Sequence, residues 1–171
     1  MKKFLFYSLS FFIIISAQAQ QPLPDCKDMK EKIITVQNSL DKLMSFKKTE
    51  KSKNARETVY NSDFELCGKK ATVKEENLSI TLQFDFKSED YSADVHTFSN
   101  FKNKILGVLK EVFAKWTKKQ SELDEDEFRT ITDYFYETGD NMFFTKNYIK
   151  LYTYITDDER TFSLEFVHWK D

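Results

Sequence analysis

The alternation of apolar and polar residues predicts strands with one buried face. It is clearest at residues 78–86, where every second side chain is apolar. Such strict alternation is typical of an antiparallel sheet that packs on one side and faces water on the other. Residues 149–155 and 162–166 alternate in the same way. The polar residues 157–159 between them predict a hairpin.

Two stretches repeat apolar residues every three or four positions instead, which predicts amphipathic helices. The first runs from Asp25, which can cap free backbone N–H groups, to about Met44. The second runs from about Thr97 to Lys119. Each stretch has a single apolar stripe that needs a partner surface.

Three segments give a weaker signal. The charged run from Lys47 to Arg56 has no period and is interpreted as a solvated loop, and residues 122–127 as an acidic connection. Residues 128–136 fit a helix by spacing, but their β-branched and aromatic content suits a strand, and we predict a strand. Gly139 lies in a segment interpreted as a turn.

The predicted fold class is therefore α+β. Two amphipathic helices pack on one face of an antiparallel sheet of about five strands, in the order α-β-β-α-β-β-β. We find no internal repeat and no low-complexity tract, and the chain has only two prolines and three glycines. With no linker in view, residues 20–171 are expected to form a single domain.

The N-terminus resembles no other part of the chain. Lys2 and Lys3 precede an almost unbroken apolar run over residues 4–15, and residues 17–19 give a small-x-small pattern. This combination predicts a cleaved signal peptide over residues 1–19. The alternative is a membrane anchor, but the run is shorter than the roughly 20 residues that cross a bilayer. We expect a periplasmic or secreted protein with no membrane span after cleavage.

Charge narrows the choice of partners. Loss of Lys2 and Lys3 would lower the basic count from 26 to 24 against 28 acidic residues, a net charge of −4. Such a surface repels phosphate backbones, so nucleic acid is not expected as a partner. Another protein is the expected partner. A chain of this length buries enough surface to fold without a metal.

The sequence has two cysteines, Cys26 and Cys67. In an oxidising compartment two cysteines most simply form a disulfide. The alternative is a reactive thiol beside one of the two histidines, His96 and His168. We predict the disulfide.

Catalytic, metal and cofactor signatures are missing from the sequence. It contains no Gly-x-Ser-x-Gly elbow and no glycine-rich loop for phosphates. The two histidines have no local partner at ligand spacing, and the acidic run at 122–127 lacks the central glycine of a calcium loop. We therefore expect no cofactor and no metal, and do not predict an enzyme.

Aromatic content is the remaining candidate for function. Tyr148, Lys150, Tyr152 and Tyr154 are expected to share the strand face away from Ile149 and Leu151, beside Tyr134 and Tyr136 if 128–136 is a strand. Tyrosines are enriched where proteins meet partners. They also form ordinary cross-strand pairs on a wet sheet face, which is the alternative interpretation.

The function expected from these features is an exported, non-enzymatic binding module of the inhibitor or immunity type, which uses this tyrosine-bearing face. Two alternatives stay open. One is a carrier of a small apolar ligand between helices and sheet, lined by the inward-facing phenylalanines. The other is a hydrolase, which would need a carboxylate pair or a His–Ser contact in a cleft. The phenylalanines are Phe84, Phe86, Phe101, Phe113, Phe162 and Phe166.

Overall fold

A computed structural model describes residues 22–23, 26–91, 93–125, 128–137, 145–156 and 160–170. The predicted signal peptide, the turn at Gly139 and the polar residues 157–159 lie outside the described residues. The helices are α1 (Met29–Gln37) and α2 (Val95–Val112), with 3₁₀ segments at Leu40–Phe46 and Ser88–Asp90. The strands are β1 (Lys47–Lys53), β2 (Glu57–Leu66), β3 (Lys69–Glu76), β4 (Ser79–Lys87), β5 (Thr117–Glu125), β6 (Phe128–Tyr136), β7 (Asn147–Ile155) and β8 (Arg160–Trp169).

All eight strands form one antiparallel sheet in the order β1-β2-β3-β4-β8-β7-β6-β5. The chain builds this sheet in two similar halves. Each half is a helix followed by four strands that pair with their neighbours in sequence. The halves join where β4 pairs with β8 along their full length, from Ser79 opposite Trp169 to Lys87 opposite Thr161.

The prediction of about five strands in the order α-β-β-α-β-β-β is wrong, because the sheet has eight. Two of the additional strands are its edges. Every residue of β1 and β5 is exposed, so neither strand shows the alternation that one buried face imposes. The third arises at Cys67 and Gly68, which form the turn of a hairpin between β2 and β3.

The turn of this hairpin has only two residues, and both adopt positive φ angles, 51° at Cys67 and 75° at Gly68. Two positive angles in succession match the right-handed twist of the strands that flank a tight hairpin. Glycine adopts such an angle without steric cost. The predicted pairing of Cys26 with Cys67 is present, with the Cα atoms 4.9 Å apart. It fastens the turn to the residues just before α1.

The hydrophobic core lies between the helices and one face of the sheet. The two central strands, β4 and β8, contribute six fully buried side chains to the core, and the apolar stripes of both helices cover them. Aromatic rings fill much of this layer: Phe86 stacks on Phe162 at 4.7 Å and meets Phe101 edge-on at 5.5 Å. The six central residues are Leu82, Phe84, Phe86, Phe162, Leu164 and Phe166.

Both predicted helices differ in length from those observed. The first ends at Gln37, and Leu40 and Leu43 are buried from the following 3₁₀ segment. The second begins at Val95, where the Asp94 carboxylate accepts a hydrogen bond from the backbone N–H of Thr97 at 2.8 Å. The capping bonds favour the charged carboxylate and lower the pKa of Asp94. α2 ends at Val112, so Lys118 and Lys119 belong to β5.

Candidate functional site

Among the described residues, the sheet face opposite the helices carries a group of partly exposed aromatic side chains. On β7 the side chains alternate: Ile149, Leu151 and Thr153 are buried toward the helices, whereas the residues between them are partly exposed on the other face. These outward residues are Tyr148, Lys150, Tyr152 and Tyr154. The four residues singled out in the sequence therefore share one face, on the strand second from the sheet's centre.

β6 brings further tyrosines to the same face. In the register of β6 and β7, Tyr134 lies opposite Lys150 and Tyr136 lies opposite Tyr148. Residues 128–136 thus form a strand as predicted. We call this surface the tyrosine face; its members are Tyr134, Tyr136, Tyr148, Lys150, Tyr152 and Tyr154.

Side-chain contacts give the tyrosine face a fixed shape. The rings of Tyr148 and Trp169 are 6.2 Å apart, and those of Phe128 and Tyr154 are 5.5 Å apart. Lys150 places its ammonium group 5.1 Å from the centre of the Tyr152 ring and 3.5 Å from Glu165. Rings held in this way lose little conformational entropy when a partner covers them.

Tyr148 is the most strongly perturbed phenol of the tyrosine face. Burial disfavours its charged form and raises its pKa from 10.0 to about 12, with help from the negative charge of Glu165. The neutral hydroxyl is therefore available as a hydrogen-bond donor at every physiological pH.

This pKa predicts a loss of stability at alkaline pH. The unfolded chain releases the Tyr148 proton near pH 10 and the folded protein near pH 12, so the stabilisation is lost as pH rises over that interval. Tyr91, whose pKa burial also raises to about 12, acts in the same direction. Each group is expected to cost about 1 kcal/mol near the middle of the interval. Urea unfolding as a function of pH measures this loss, and Tyr148→Phe should reduce it. An unchanged pH dependence in that variant would contradict the assignment.

A second feature, on the helix side of the sheet, was not found from the sequence. Between α2 and strands β6–β8 lies a cleft of about 240 Å³ bordered by three cationic side chains. They are Lys102, Arg129 and Arg160, and we call the feature the cationic cleft. These residues are far apart in sequence and belong to three different elements, so no local spacing connects them.

The two histidines do not form the contacts that a hydrolase would need. His96 is exposed in the first turn of α2. His168 is buried, and its Nδ1 lies 2.8 Å from Oδ1 of Asn147, which in turn donates to Glu137 at 2.7 Å. Within the described ranges, neither histidine contacts a serine or a cysteine thiol. These hydrogen bonds satisfy the buried ring of His168, which we therefore interpret as a structural residue.

The described residues contain no group of three or more His, Cys, Asp or Glu side chains that could hold a metal ion. None of the helices in that same part of the chain has the length and apolar composition that crossing a bilayer requires. Comparison with protein-family models, with curated proteins and with solved structures finds no match for this chain.

Proposed function

We propose that this chain is an exported, non-enzymatic binding module that engages another protein through the tyrosine face. One observation carries the proposal. The face opposite the helices presents partly exposed tyrosines on two paired strands, Tyr134 on β6 and Tyr148, Tyr152 and Tyr154 on β7, whereas Tyr136 is only 3% exposed. Protein interfaces are enriched in tyrosine.

The disulfide and the leader pattern support the proposed compartment. A disulfide persists in the periplasm or outside the cell and is rare in the cytosol, which supports the Cys26–Cys67 pair as the mark of an exported protein. The predicted signal peptide over residues 1–19 points to the same location. The expected partner is therefore a protein of the cell envelope or the extracellular space.

Packing favours this proposal over a carrier of an apolar ligand. The inward-facing phenylalanines contact one another: Phe84 lies 6.5 Å from Phe166, and Phe98 lies 5.3 Å from Phe162. Rings that pack on rings fill a core and leave no apolar chamber at their centre. The cationic cleft has a charged border, which does not suit a purely apolar ligand.

The proposal predicts that loss of two exposed tyrosines abolishes partner binding while the fold survives. The partner is captured from envelope extract on the immobilised protein, identified by mass spectrometry, purified, and measured against each variant. Tyr152→Ala with Tyr154→Ala is expected to weaken binding at least about tenfold, because buried tyrosine anchors are typical hot spots worth more than 1 kcal/mol. Thermal unfolding followed by circular dichroism confirms that the variant is folded.

The matched control is Tyr60→Ala. Tyr60 is half-buried on the helix side of the sheet, near its first edge, where its hydroxyl donates to Glu75 at 3.1 Å. Its loss should leave partner binding unchanged. Equal recovery of the partner by the double variant and the unmodified protein would exclude the tyrosine face. Equal losses for the control and the double variant would also exclude it.

A further inference from the structure

The cationic cleft lies on the other side of the sheet from the tyrosine face, so it is independent of the proposed function. The first turns of α2 form one wall, and the helix-facing sides of β6, β7 and β8 form the other. Its lining combines an apolar floor with a border of charged and hydroxyl groups. The apolar residues are Phe98, Ile131, Ile155 and Phe162.

Arg160 is the best-positioned cation at this border. Its Nη1 donates to Oγ of Ser99 on α2 at 2.8 Å, which holds the planar guanidinium against the helix. In the part of the chain that the structure describes, no carboxylate lies within 4 Å of its charged nitrogens. The remaining N–H groups of a guanidinium form a fork that matches the two oxygens of a carboxylate.

Lys102 on α2 supplies a second cation, one turn after Ser99. It is half-buried, and burial lowers its pKa, as do the nearby charges of Lys110 and Arg160. The carboxylate of Asp133 raises the pKa of Lys102, but by less than burial lowers it. No described carboxylate comes within ion-pair distance of its ammonium group. An anion bound in the cleft would stabilise the charged form of Lys102.

Thr153 adds an independent sign that the cleft is built for a polar guest. It is only 6% exposed, it lines the cleft from β7, and its Oγ1 has no hydrogen-bond partner among the described residues. A buried hydroxyl without a partner costs free energy, and native proteins keep few of them. Arg129 differs from the other two cations because Glu122 already holds it, with Nε donating at 2.6 Å.

We infer that the cationic cleft binds a small organic carboxylate, with its charged group between Lys102 and Arg160 and its apolar body on the floor. The volume of the cleft equals that of roughly eight water molecules, which suits one ring or a short branched chain. Thr153 donates its hydroxyl to the same oxygens. The floor distinguishes this ligand from inorganic anions, which gain nothing from apolar contacts.

Titration of the purified full chain with benzoate, followed by NMR chemical shifts of the backbone amides, tests the inference. Shifts are expected along the first turns of α2 and along β7. Lys102→Met and Arg160→Gln should each weaken benzoate binding about tenfold or more, since each removes a charge-assisted contact. Lys104→Met is the matched control, because Lys104 is exposed on the same helix and does not line the cleft, and it should leave the affinity within about twofold.

Three further probes separate the contributions of charge and apolar body. Acetate lacks the apolar body and benzyl alcohol lacks the charge, so both should bind more weakly than benzoate. Inorganic phosphate should also bind more weakly. Phosphate binding tighter than benzoate would overturn the carboxylate assignment. Equal benzoate affinity in the unmodified protein and in folded Lys102→Met and Arg160→Gln variants, or shifts outside the cleft only, would overturn the site.

Discussion

Truncation of Phe86 to alanine is expected to lower the free energy of unfolding by about 3–5 kcal/mol. Phe86 is fully buried at the junction of the two halves, where its ring stacks on Phe162 and meets Phe101 on α2. Its removal loses this apolar contact area and leaves a cavity that rigid neighbouring rings cannot close. Urea unfolding monitored by circular dichroism gives the difference directly.

Leu78→Ala is the control for Phe86→Ala. Leu78 is also a large apolar residue next to β4, but 68% of it is exposed, so its truncation should change stability by less than about 0.5 kcal/mol. Because domains of this kind are stable by only about 5–15 kcal/mol in total, the Phe86 variant should unfold at far lower urea concentration. A loss below about 1 kcal/mol for Phe86→Ala would show that the ring layer is not a close-packed core.

Loss of the Cys26–Cys67 disulfide is expected to destabilise the protein by about 4 kcal/mol, the value that chain entropy gives for a loop of this size. The two residues are 41 positions apart, and the bond ties the start of α1 to the β2–β3 turn. Without it, the unfolded chain gains freedom while the folded state keeps the same core. Unfolding with and without reductant, together with the double variant Cys26→Ser and Cys67→Ser, measures this contribution.

The double serine variant also serves as the control, since its stability should not respond to reductant. Mass spectrometry after alkylation, without prior reduction, should find no modified thiol in the native protein. Two alkylated cysteines in that experiment would contradict the disulfide. Equal stability of the oxidised and reduced protein would contradict its expected contribution.

The sequence predicted the strands and helices that have one buried face and failed for those that have none. β4, β7 and β8 were recognised because burial on one side imposes alternation on the residues, and β6 was recognised from its β-branched and aromatic content. β1 and β5 are exposed on both sides, so their composition is that of a loop. The side chains of such a segment give no sign that its backbone is hydrogen-bonded in a sheet. Charged edge strands of this kind also discourage pairing with other chains.

The first helix shows a different limit of periodicity. Apolar residues continue at three- and four-residue steps through Leu40 and Leu43 to Met44, which extended the predicted helix beyond its end at Gln37. A 3₁₀ segment has three residues per turn, so it aligns the same positions on one side. An apolar stripe therefore identifies the buried face without identifying which kind of helix carries it.

The two candidate sites differ in how far sequence could reach them. The tyrosine face follows from alternation within one strand, so Tyr148, Tyr152 and Tyr154 could be grouped before the fold was known. The cationic cleft forms because α2 lies over the end of β7 and the start of β8, which places Lys102 beside the same cleft as Arg160. The cue within the sequence was Arg160, a charged residue in phase with the buried side chains of β8.

The pairing of β4 with β8 has a consequence for biosynthesis. Six of the seven strand pairings join neighbours in sequence, but this seam joins positions from 74 to 90 residues apart, as in Lys87 with Thr161 and Ser79 with Trp169. Closing so long a loop is the costliest and slowest contact to make. Until the second half of the chain has been made, β4 is an unpaired edge strand with uncovered apolar side chains. The incomplete polypeptide is therefore most prone to aggregate at that stage.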